Sequence, residues 1–313
     1  MKKKLKFIDL FAGIGGFHLA FHNLGCECVF ASEIDLHARK TYEDNFRAVS
    51  PELFKGNLFN SDILKVDYED IPDFDILCAG FPCQPFSQAG HKRGFSEGRE
   101  DRGNMFFILS EIIEAKRPKA FFLENVRHLL NHEEGRTFEI IKKILTKDLN
   151  YEIFYKVVKA SDYGLPQHRP RVYIIGFDKN LKLPSDFSFP DKKKLEYTMS
   201  DIFGGQCDRD IGFTLRVGGR GSTIDDRRNW EFYRVNGNVV RLGVEEAKKM
   251  MGLPSNYKFP VSNTQAIKQM GNSVAVNAVQ MVAQAMIQHI SKIGKRPELI
   301  VDKQTSSFVI NYV

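Results

Sequence analysis

The 313-residue sequence is poor in cysteine and has no long apolar run. Its five cysteines are an odd number, and one residue separates Cys26 from Cys28, so neither a disulfide framework nor a zinc knuckle is indicated. No apolar stretch approaches the roughly 20 residues of a membrane span. Met1 to Lys4 resembles the start of a signal peptide, but Phe7 to Phe11 is short and contains an acid. We therefore expect a cytoplasmic protein with no membrane contact.

Composition is that of an ordinary globular protein, with 42% hydrophobic and 27% charged residues. The length predicts one large core with a smaller appendage. Lys and Arg number 45 against 39 Asp and Glu, a net charge of +6. That excess permits a polyanionic partner but suits many other proteins as well.

Strand and helix patterns alternate along the first half of the chain. Such repeated units with apolar strands predict an α/β fold with a doubly wound, mostly parallel sheet of the Rossmann-like kind. The predicted strands are 7–11, 28–32, 74–79, 120–123, 151–158 and 171–177, and the predicted helices are 17–24, 37–46, 105–115, 137–149, 244–251 and 274–293.

The pattern changes after Phe177, where a Gly- and Arg-rich segment without helical periodicity continues to about Leu242. The amphipathic segment 274–293 suits packing back on the sheet. We therefore predict a discontinuous first domain, 1–178 plus 263–313, and a smaller irregular, β-rich domain over 179–262.

A glycine turn follows the first predicted strand. It lacks the third glycine of the dinucleotide fingerprint, because His18 stands in that place. Gly13 and Gly15 would still let the backbone approach a nucleoside, and Glu33, at the end of the second strand, could accept hydrogen bonds from ribose hydroxyls. The alternative is a plain tight turn.

Cys83 follows a predicted strand, in a turn that Pro82 and Pro85 stiffen. Glu124 ends the next strand, and parallel pairing would bring both side chains to one edge of the sheet. A thiol beside a carboxyl group suggests covalent catalysis. The long Gly-rich stretch 84–104 reads as a loop that could close over a substrate. The alternatives are an inert buried thiol and a surface or capping acid.

Two arginines, Arg169 and Arg171, lead into another predicted strand and would lie on one of its faces. Their forked guanidinium groups beside a carboxylate would suit a planar polar substrate. The alternative is a basic strand end.

Five segments occur in the order found in the C5-cytosine DNA methyltransferases, which the chain resembles over nearly its whole length. It is similar to the compact bacterial restriction–modification type. One such motif would be weak, but five in order with fitting gaps are specific. The segments are Phe7–Phe17, Gly80–Ser87, Glu124–Val126, Gln167–Arg171 and Gly271–Val274.

The resemblance implies a covalent mechanism without a metal. By position, Cys83 is the thiol that adds to C6 of cytosine, Glu124 contacts N3 and the exocyclic amine, and Arg169 and Arg171 help hold the base. C5 then attacks the methyl group of S-adenosylmethionine, and loss of the C5 proton expels the thiol. The target base must first be rotated out of its duplex, and the loop 84–104 is the candidate for capturing it.

The same resemblance implies a set of contacts to S-adenosylmethionine. Phe11 would stack on adenine, Glu33 would bind the ribose, and Asp62 and Ile63 would contact the adenine edge and face. Asn272 and Ser273 would close the methionine end. Ile34 departs from the family, which often has an aromatic residue on adenine at this position.

Sequence reading would fall to 209–241, where seven arginines occur without a lysine. Arginine reads guanine edges bidentately, and Arg216, Arg220, Arg227 and Arg228 are the candidate readers. The alternative is that Asp210, Asp225, Asp226 and Glu231 pair with several of the arginines.

The expected partner is double-stranded DNA, bound by a monomer. One competing hypothesis keeps the chemistry but moves it to transfer RNA, which a methyl-transfer assay on both substrates would decide. Another is a nucleotide-dependent oxidoreductase, against which the missing glycine and the pair Cys83 and Glu124 count. A third is an inactive DNA-binding relic, which the intact motifs disfavour.

Overall fold

The computed structural model describes residues 4–82, 105–218 and 221–294, together with the backbone of 297–302 and 307–312. Cys83, the loop 84–104 and Arg220 lie outside the described residues. Within these limits, no helix combines the length and apolarity needed to cross a membrane.

Seven strands form one mixed sheet in the order β3-β2-β1-β4-β5-β7-β6. The pairs among β1 to β5 are parallel, whereas β7 runs antiparallel to both β5 and β6. The predicted mostly parallel sheet is confirmed. The strands are β1 (Lys6–Leu10), β2 (Glu27–Ser32), β3 (Phe59–Asn60), β4 (Ile76–Gly80), β5 (Ala120–Val126), β6 (Tyr151–Lys159) and β7 (Pro170–Asp178).

Eight α-helices are seen in the described parts of the chain, and most fall within a few residues of their predicted bounds. They are α1 (Gly16–Asn23), α2 (Leu36–Phe46), α3 (Met105–Lys116), α4 (Arg136–Lys143), α5 (Met199–Phe203), α6 (Val244–Met251), α7 (Asn263–Asn272) and α8 (Val276–Ile290). The sequence patterns did not predict α5 or α7. The predicted helix 137–149 continues past α4 only as a π-helical turn, Ile144–Asp148.

Apolar side chains cover both faces of the sheet, as a doubly wound fold requires. Alternate residues of β1 point to opposite sides: Phe7 joins a core with Phe17 and Phe21 of α1, and Ile8 joins one with Phe106 and Ile112 of α3. The helix α8 packs beside α1. Among the described residues, a cleft remains at the carboxyl ends of β1, β2, β4 and β5.

The segment between β7 and α7 contains α5, α6 and a hairpin of β8 (Phe232–Val235) and β9 (Asn238–Arg241). Its apolar residues, among them Met199, Tyr233 and Met250, join the same core as α1 and α8. The division at 179 and 262 stays a prediction. A second hairpin, β10 (Pro297–Asp302) with β11 (Ser307–Tyr312), follows α8.

His18, which replaces the third glycine of the turn motif, is a core residue. Its Nδ1 lies 2.7 Å from the Tyr42 hydroxyl and its Nε2 lies 3.1 Å from Ser50 Oγ. Its ring stacks on Phe46 with centroids 3.9 Å apart. Burial lowers the pKa of His18 to about 3. The imidazole is therefore neutral in the folded protein.

This burial predicts a loss of stability in mild acid. The folded pKa of about 3 lies below the ordinary value of 6.5, so below pH 6.5 the unfolded chain binds the additional proton. His18 alone should lower the free energy of unfolding by up to about 1.4 kcal/mol per pH unit in that range. Urea denaturation at several pH values between 7 and 5 measures how the free energy of unfolding changes with pH.

His18→Gln removes this titration, so its stability should depend less on pH than that of the wild type. His37, exposed on α2, supplies the control, because His37→Gln should follow the wild-type slope. Equal slopes for wild type and His18→Gln would contradict the assignment.

Candidate active site

A cleft of about 570 Å³ lies along the carboxyl ends of β1, β2, β4 and β5. Small-molecule sites are expected at this edge of an open α/β sheet. The cleft brings together most residues that the sequence singled out: Phe11, Gly13, Glu33, Asp62, Ile63, Glu124, Arg169, Arg171 and Asn272 line it. Gly15 and Ser273 are not among the lining residues.

The glycine turn forms the floor of one half of the cleft. Phe11 and Gly13 both have a positive φ, 54° and 55°, and no atom of a described neighbouring residue lies within 4 Å of where a Gly13 Cβ would be. The backbone there is open to a ligand. Gly15 serves packing instead, because a Cβ at this position would lie 2.3 Å from the Phe46 ring.

Glu33 is held by two backbone groups. Gly13 N–H donates to Oε2 at 2.7 Å and Asp35 N–H donates to Oε1 at 2.8 Å. Burial raises the pKa of Glu33, and these N–H donors oppose that shift. Each oxygen keeps a second lone pair, so the fixed carboxylate can accept two further hydrogen bonds from a diol.

Asp62 lies on the far side of the glycine turn. Its Oδ1 accepts a hydrogen bond from Leu64 N–H at 3.1 Å, which fixes the side chain at the start of a short 3₁₀ turn. Lys65 Nζ is 3.6 Å from Oδ2. The neighbouring Ile63 is buried and gives this part of the cleft an apolar surface.

Glu124 is the carboxyl group of the other half of the cleft. Parallel pairing sets it opposite Gly80, the last residue of β4, as the sequence predicted for neighbouring strands. Arg171 Nε lies 3.0 Å from its Oε1. Its Oε2 is 3.6 Å from where a Cβ of Gly80 would be, and no hydrogen bond to this oxygen is seen among the described residues.

Two opposing influences act on the Glu124 carboxyl group. Burial raises its pKa above the ordinary value, whereas the charges of Arg171 and Arg169 lower it. Burial is the larger influence, so the group holds a proton at higher pH than a solvated glutamate does. A carboxyl group poised in this way can both donate and accept hydrogen bonds at one edge of a planar ring.

Asn125, the next residue, is a contributor to the site that sequence reasoning missed. Its Nδ2 donates to the Phe81 carbonyl at 2.9 Å, and its Oδ1 accepts from Val126 N–H at 2.8 Å. The buried amide thus fixes the chain where it leaves β4 toward Pro82 and Cys83. A polar amide at the end of an apolar strand was the available signal, since buried amides need partners.

Arg169 also lines the cleft, but its terminal nitrogens contact backbone carbonyls. Nη2 donates to Gly271 O at 2.9 Å and also to Ser273 O, while Nη1 donates to Leu215 O at 3.3 Å. Burial and then the charge of Arg171 lower the pKa of Arg169 to about 9. The guanidinium therefore stays charged at neutral pH.

One wall of the cleft is a face of α7, the helix that the sequence patterns did not predict. Asn272 ends this helix, and Gln265 and Lys268 line the cleft from its preceding turns. Spacings of three and four residues put all three on one side of the helix. Ser273, which follows, is buried and its carbonyl accepts from Arg169.

The described arginines of the segment 209–241, among them the candidate DNA readers Arg216, Arg227 and Arg228, include a paired and an unpaired group. Arg228 makes a two-pronged contact with Asp226, Arg234 lies 3.2 Å from Asp225, and Arg241 lies 2.9 Å from the buried Glu231. The predicted alternative of pairing with acids is confirmed for these three. Arg216 and Arg227 are exposed, with no ion pair to any described residue. Arg220 lies outside the described part.

Comparison with known proteins gives one consistent result. The family model for C-5 cytosine-specific DNA methylase matches residues 5–215 and 209–288. The chain is 41% identical over 325 residues to the Type II methyltransferase M1.ScrFI of Lactococcus lactis subsp. cremoris, covering 93% of this chain and 80% of that protein. It is 36% identical over 318 residues to M.HhaI of Haemophilus parahaemolyticus, covering 89% and 93%.

A solved structure agrees in fold. The crystal structure of a DNMT2 mutant from Spodoptera frugiperda superposes with a TM-score of 0.69 at 20% identity, covering 91% of this chain and all of that one (100%). At this identity the likeness concerns the fold alone.

The Glu124–Arg171 pair makes a testable contribution to stability. Arg171→Gln should cost about 3–5 kcal/mol of unfolding free energy near neutral pH, because it leaves a buried carboxyl group without its cation. Adding Glu124→Gln should recover most of that loss. Urea denaturation of the two single variants and the double variant measures the coupling; additive losses would show that the two side chains do not interact.

Proposed function

Because this chain is a member of the C-5 cytosine-specific DNA methylases, and so an S-adenosylmethionine-dependent DNA (cytosine-5)-methyltransferase, we propose that its cleft holds the methyl donor and an extruded cytosine side by side. The observation that carries this is one continuous cleft lined at one end by Glu33 and the glycine turn and at the other by Glu124 and Arg171. Two ligands meet where the two ends join.

The first end fits a nucleoside. The whole cleft, both ends together, has a volume of about 570 Å³, which lies within the range of small-molecule sites. Glu33 accepts hydrogen bonds from the ribose hydroxyls. Phe11 stacks on the adenine, Asp62 contacts its edge, and Ile63 contacts its face. Asn272, which lines the cleft, takes the methionine end. A contact by the buried Ser273 stays a prediction. S-adenosylmethionine supplies the methyl group.

The second end fits the hydrogen-bonding edge of cytosine. In its protonated form, Glu124 donates to N3 through Oε2, and in its ionised form it accepts from the exocyclic amine. The raised pKa of Glu124 favours the protonated form, which draws electrons from the ring and makes C6 electrophilic. Arg171 orients the carboxyl group through Oε1. A base contact by Arg169 stays a prediction.

Cys83 supplies the nucleophile. Its thiolate forms a bond to C6 while N3 takes a proton, which leaves C5 nucleophilic. C5 then attacks the methyl group of S-adenosylmethionine, the S–CH3 bond breaks and S-adenosylhomocysteine leaves. A base removes the C5 proton, the electrons of that C–H bond form the C5–C6 double bond, and the C6–S bond breaks to return the thiolate. N3 gives its proton back to Glu124. Asn125 supports this step because it holds the Phe81 carbonyl, two residues before the thiol.

Sequence recognition is assigned to the exposed arginines of the middle segment. Arg216 and Arg227 are exposed and lack an acidic partner among the described residues, so their guanidinium groups can contact guanine edges. The relatives' printed names as Type II methyltransferases support a role as the modification enzyme of a restriction–modification system. Methylation-sensitive sequencing of DNA from an expressing host identifies the modified sequence.

The test of the proposed function is covalent trapping. An oligonucleotide duplex with 5-fluorocytosine at the modified position should form a stable adduct with the enzyme in the presence of S-adenosylmethionine, since fluorine cannot leave as the C5 proton does. Peptide mapping should place the adduct on Cys83. Cys83→Ser should bind the duplex without forming it. An active enzyme that gives no adduct at Cys83 would refute the covalent mechanism. A methyl-transfer assay with transfer RNA in place of the duplex tests the alternative substrate.

Substitutions in the unpaired and the paired arginines should affect the sequence specificity of methylation differently. Arg216→Ala and Arg227→Ala should each reduce discrimination against a single mismatched base pair, by about 1–3 kcal/mol if the contact is bidentate. Arg234→Ala, which removes a surface partner of Asp225, should leave discrimination within about 0.5 kcal/mol of wild type. Methylation rates on cognate and mismatched duplexes measure it. Unchanged discrimination in both exposed-arginine variants would exclude them as readers.

A further inference from the structure

Arg169 joins three parts of the chain that are far apart in sequence. It precedes β7, it donates to Gly271 O and Ser273 O at the end of α7, and it donates to Leu215 O in the arginine segment. Side-chain burial of this group is nearly complete, with 3% of its surface exposed. The Arg169 guanidinium therefore fixes the end of α7, which forms one wall of the cleft, relative to Leu215 in the arginine segment 209–241.

Gly271 brings the same two parts into direct contact. A Cβ at this position would lie 2.9 Å from the backbone carbon of Arg216 and 3.2 Å from Val217 N. The neighbouring atoms are backbone, which cannot rotate away as a side chain can. The end of α7 therefore contacts the backbone of Arg216 so closely that only a glycine fits at position 271 without displacing it.

We propose that Arg169 and Gly271 couple methyl-donor binding to recognition of the DNA sequence, with Arg169 as a positioning residue for Arg216. The inference rests on the proposed function, which places the methionine end at Asn272 and a base-reading role at Arg216. Asn272 then contacts the methyl donor and Arg216 contacts the DNA. The buried guanidinium of Arg169 and the close approach at Gly271 connect these two residues.

The physical basis of the coupling is the ordering of a shared segment. A ligand held against Asn272 fixes the end of α7, and with it the Gly271 and Ser273 carbonyl groups that accept from Arg169. The guanidinium, fixed in turn, holds the Leu215 carbonyl and hence the backbone of Arg216. Duplex binding then has less conformational entropy left to lose, so affinity rises without a new contact. Linkage requires the duplex to tighten methyl-donor binding by the same factor.

The experiment measures duplex affinity with and without S-adenosylhomocysteine, which occupies the donor site and cannot react. The duplex carries the sequence found by methylation mapping. In the wild type we expect S-adenosylhomocysteine to tighten duplex binding by about 5- to 150-fold, the usual range of coupling between sites. Calorimetry of S-adenosylhomocysteine with and without duplex should return the same factor.

Two variants perturb the junction from opposite sides. Arg169→Lys keeps the charge but not the fork that reaches three carbonyl groups, and Gly271→Ala pushes on the backbone of Arg216. In both, the coupling factor, which is the ratio of duplex affinities with and without S-adenosylhomocysteine, should fall toward one whatever the affinity for each ligand alone. A role in stability alone would lower the thermal midpoint and leave the factor at its wild-type value.

Matched controls separate the junction from general effects. Arg117→Lys changes another arginine that donates to a backbone carbonyl and pairs with Asp178, and Gly218→Ala adds a Cβ where no atom lies within 4 Å. Both should retain wild-type coupling. Wild-type coupling in both junction variants would overturn the inference, as would a wild type that binds each ligand without coupling. Failure of the wild type to bind either ligand would instead refute the proposed function.

Discussion

The site depends on a carboxyl group that is kept inside the protein at the end of a strand. Glu124 is 8% exposed, and an isolated charge at that depth would be strongly unfavourable. Arg171 makes the position tolerable, and it does so from β7, a strand antiparallel to β5. Because Val126 pairs with Arg171 and Glu124 with Tyr173, the arginine is the diagonal neighbour of the carboxyl group on one face of the sheet.

The reversal of β7 therefore has a functional consequence. A parallel strand in its place would enter from the other edge and set its own carboxyl end beside Glu124. The antiparallel strand instead brings its first residues, with Arg171 and the preceding Arg169, to the edge where β4 and β5 end. Burial then raises the pKa of Glu124, and the nearby cations limit that rise. The balance between these two influences sets the protonation of the carboxyl group to which we assign the contact with the pyrimidine.

Much of this arrangement could be predicted from sequence, because its main features are local. Apolar strands that end in Gly80, Glu124 and Glu33 identify the edge of a parallel sheet without any tertiary information. The helix α7 could not be identified in this way, since several of its polar residues line the cleft, which weakens the apolar periodicity of a helix. The contact from Asn125 to the Phe81 carbonyl depends on strand register, which no single segment encodes.

The arginine segment shows why composition alone overstates a binding surface. The segment has little regular structure, and its acids and arginines fold it: Glu231, 1% exposed, is neutralised by Arg241 and also accepts from Gly221 N–H. An unpaired acid at that depth would destabilise the segment, so this arginine is committed to the fold before any DNA arrives. Only a cation without such a commitment can transfer its hydrogen bonds to a base. Charge in such a segment therefore serves folding first, and among its described arginines Arg216 and Arg227 are exposed without an ion pair to a described acid.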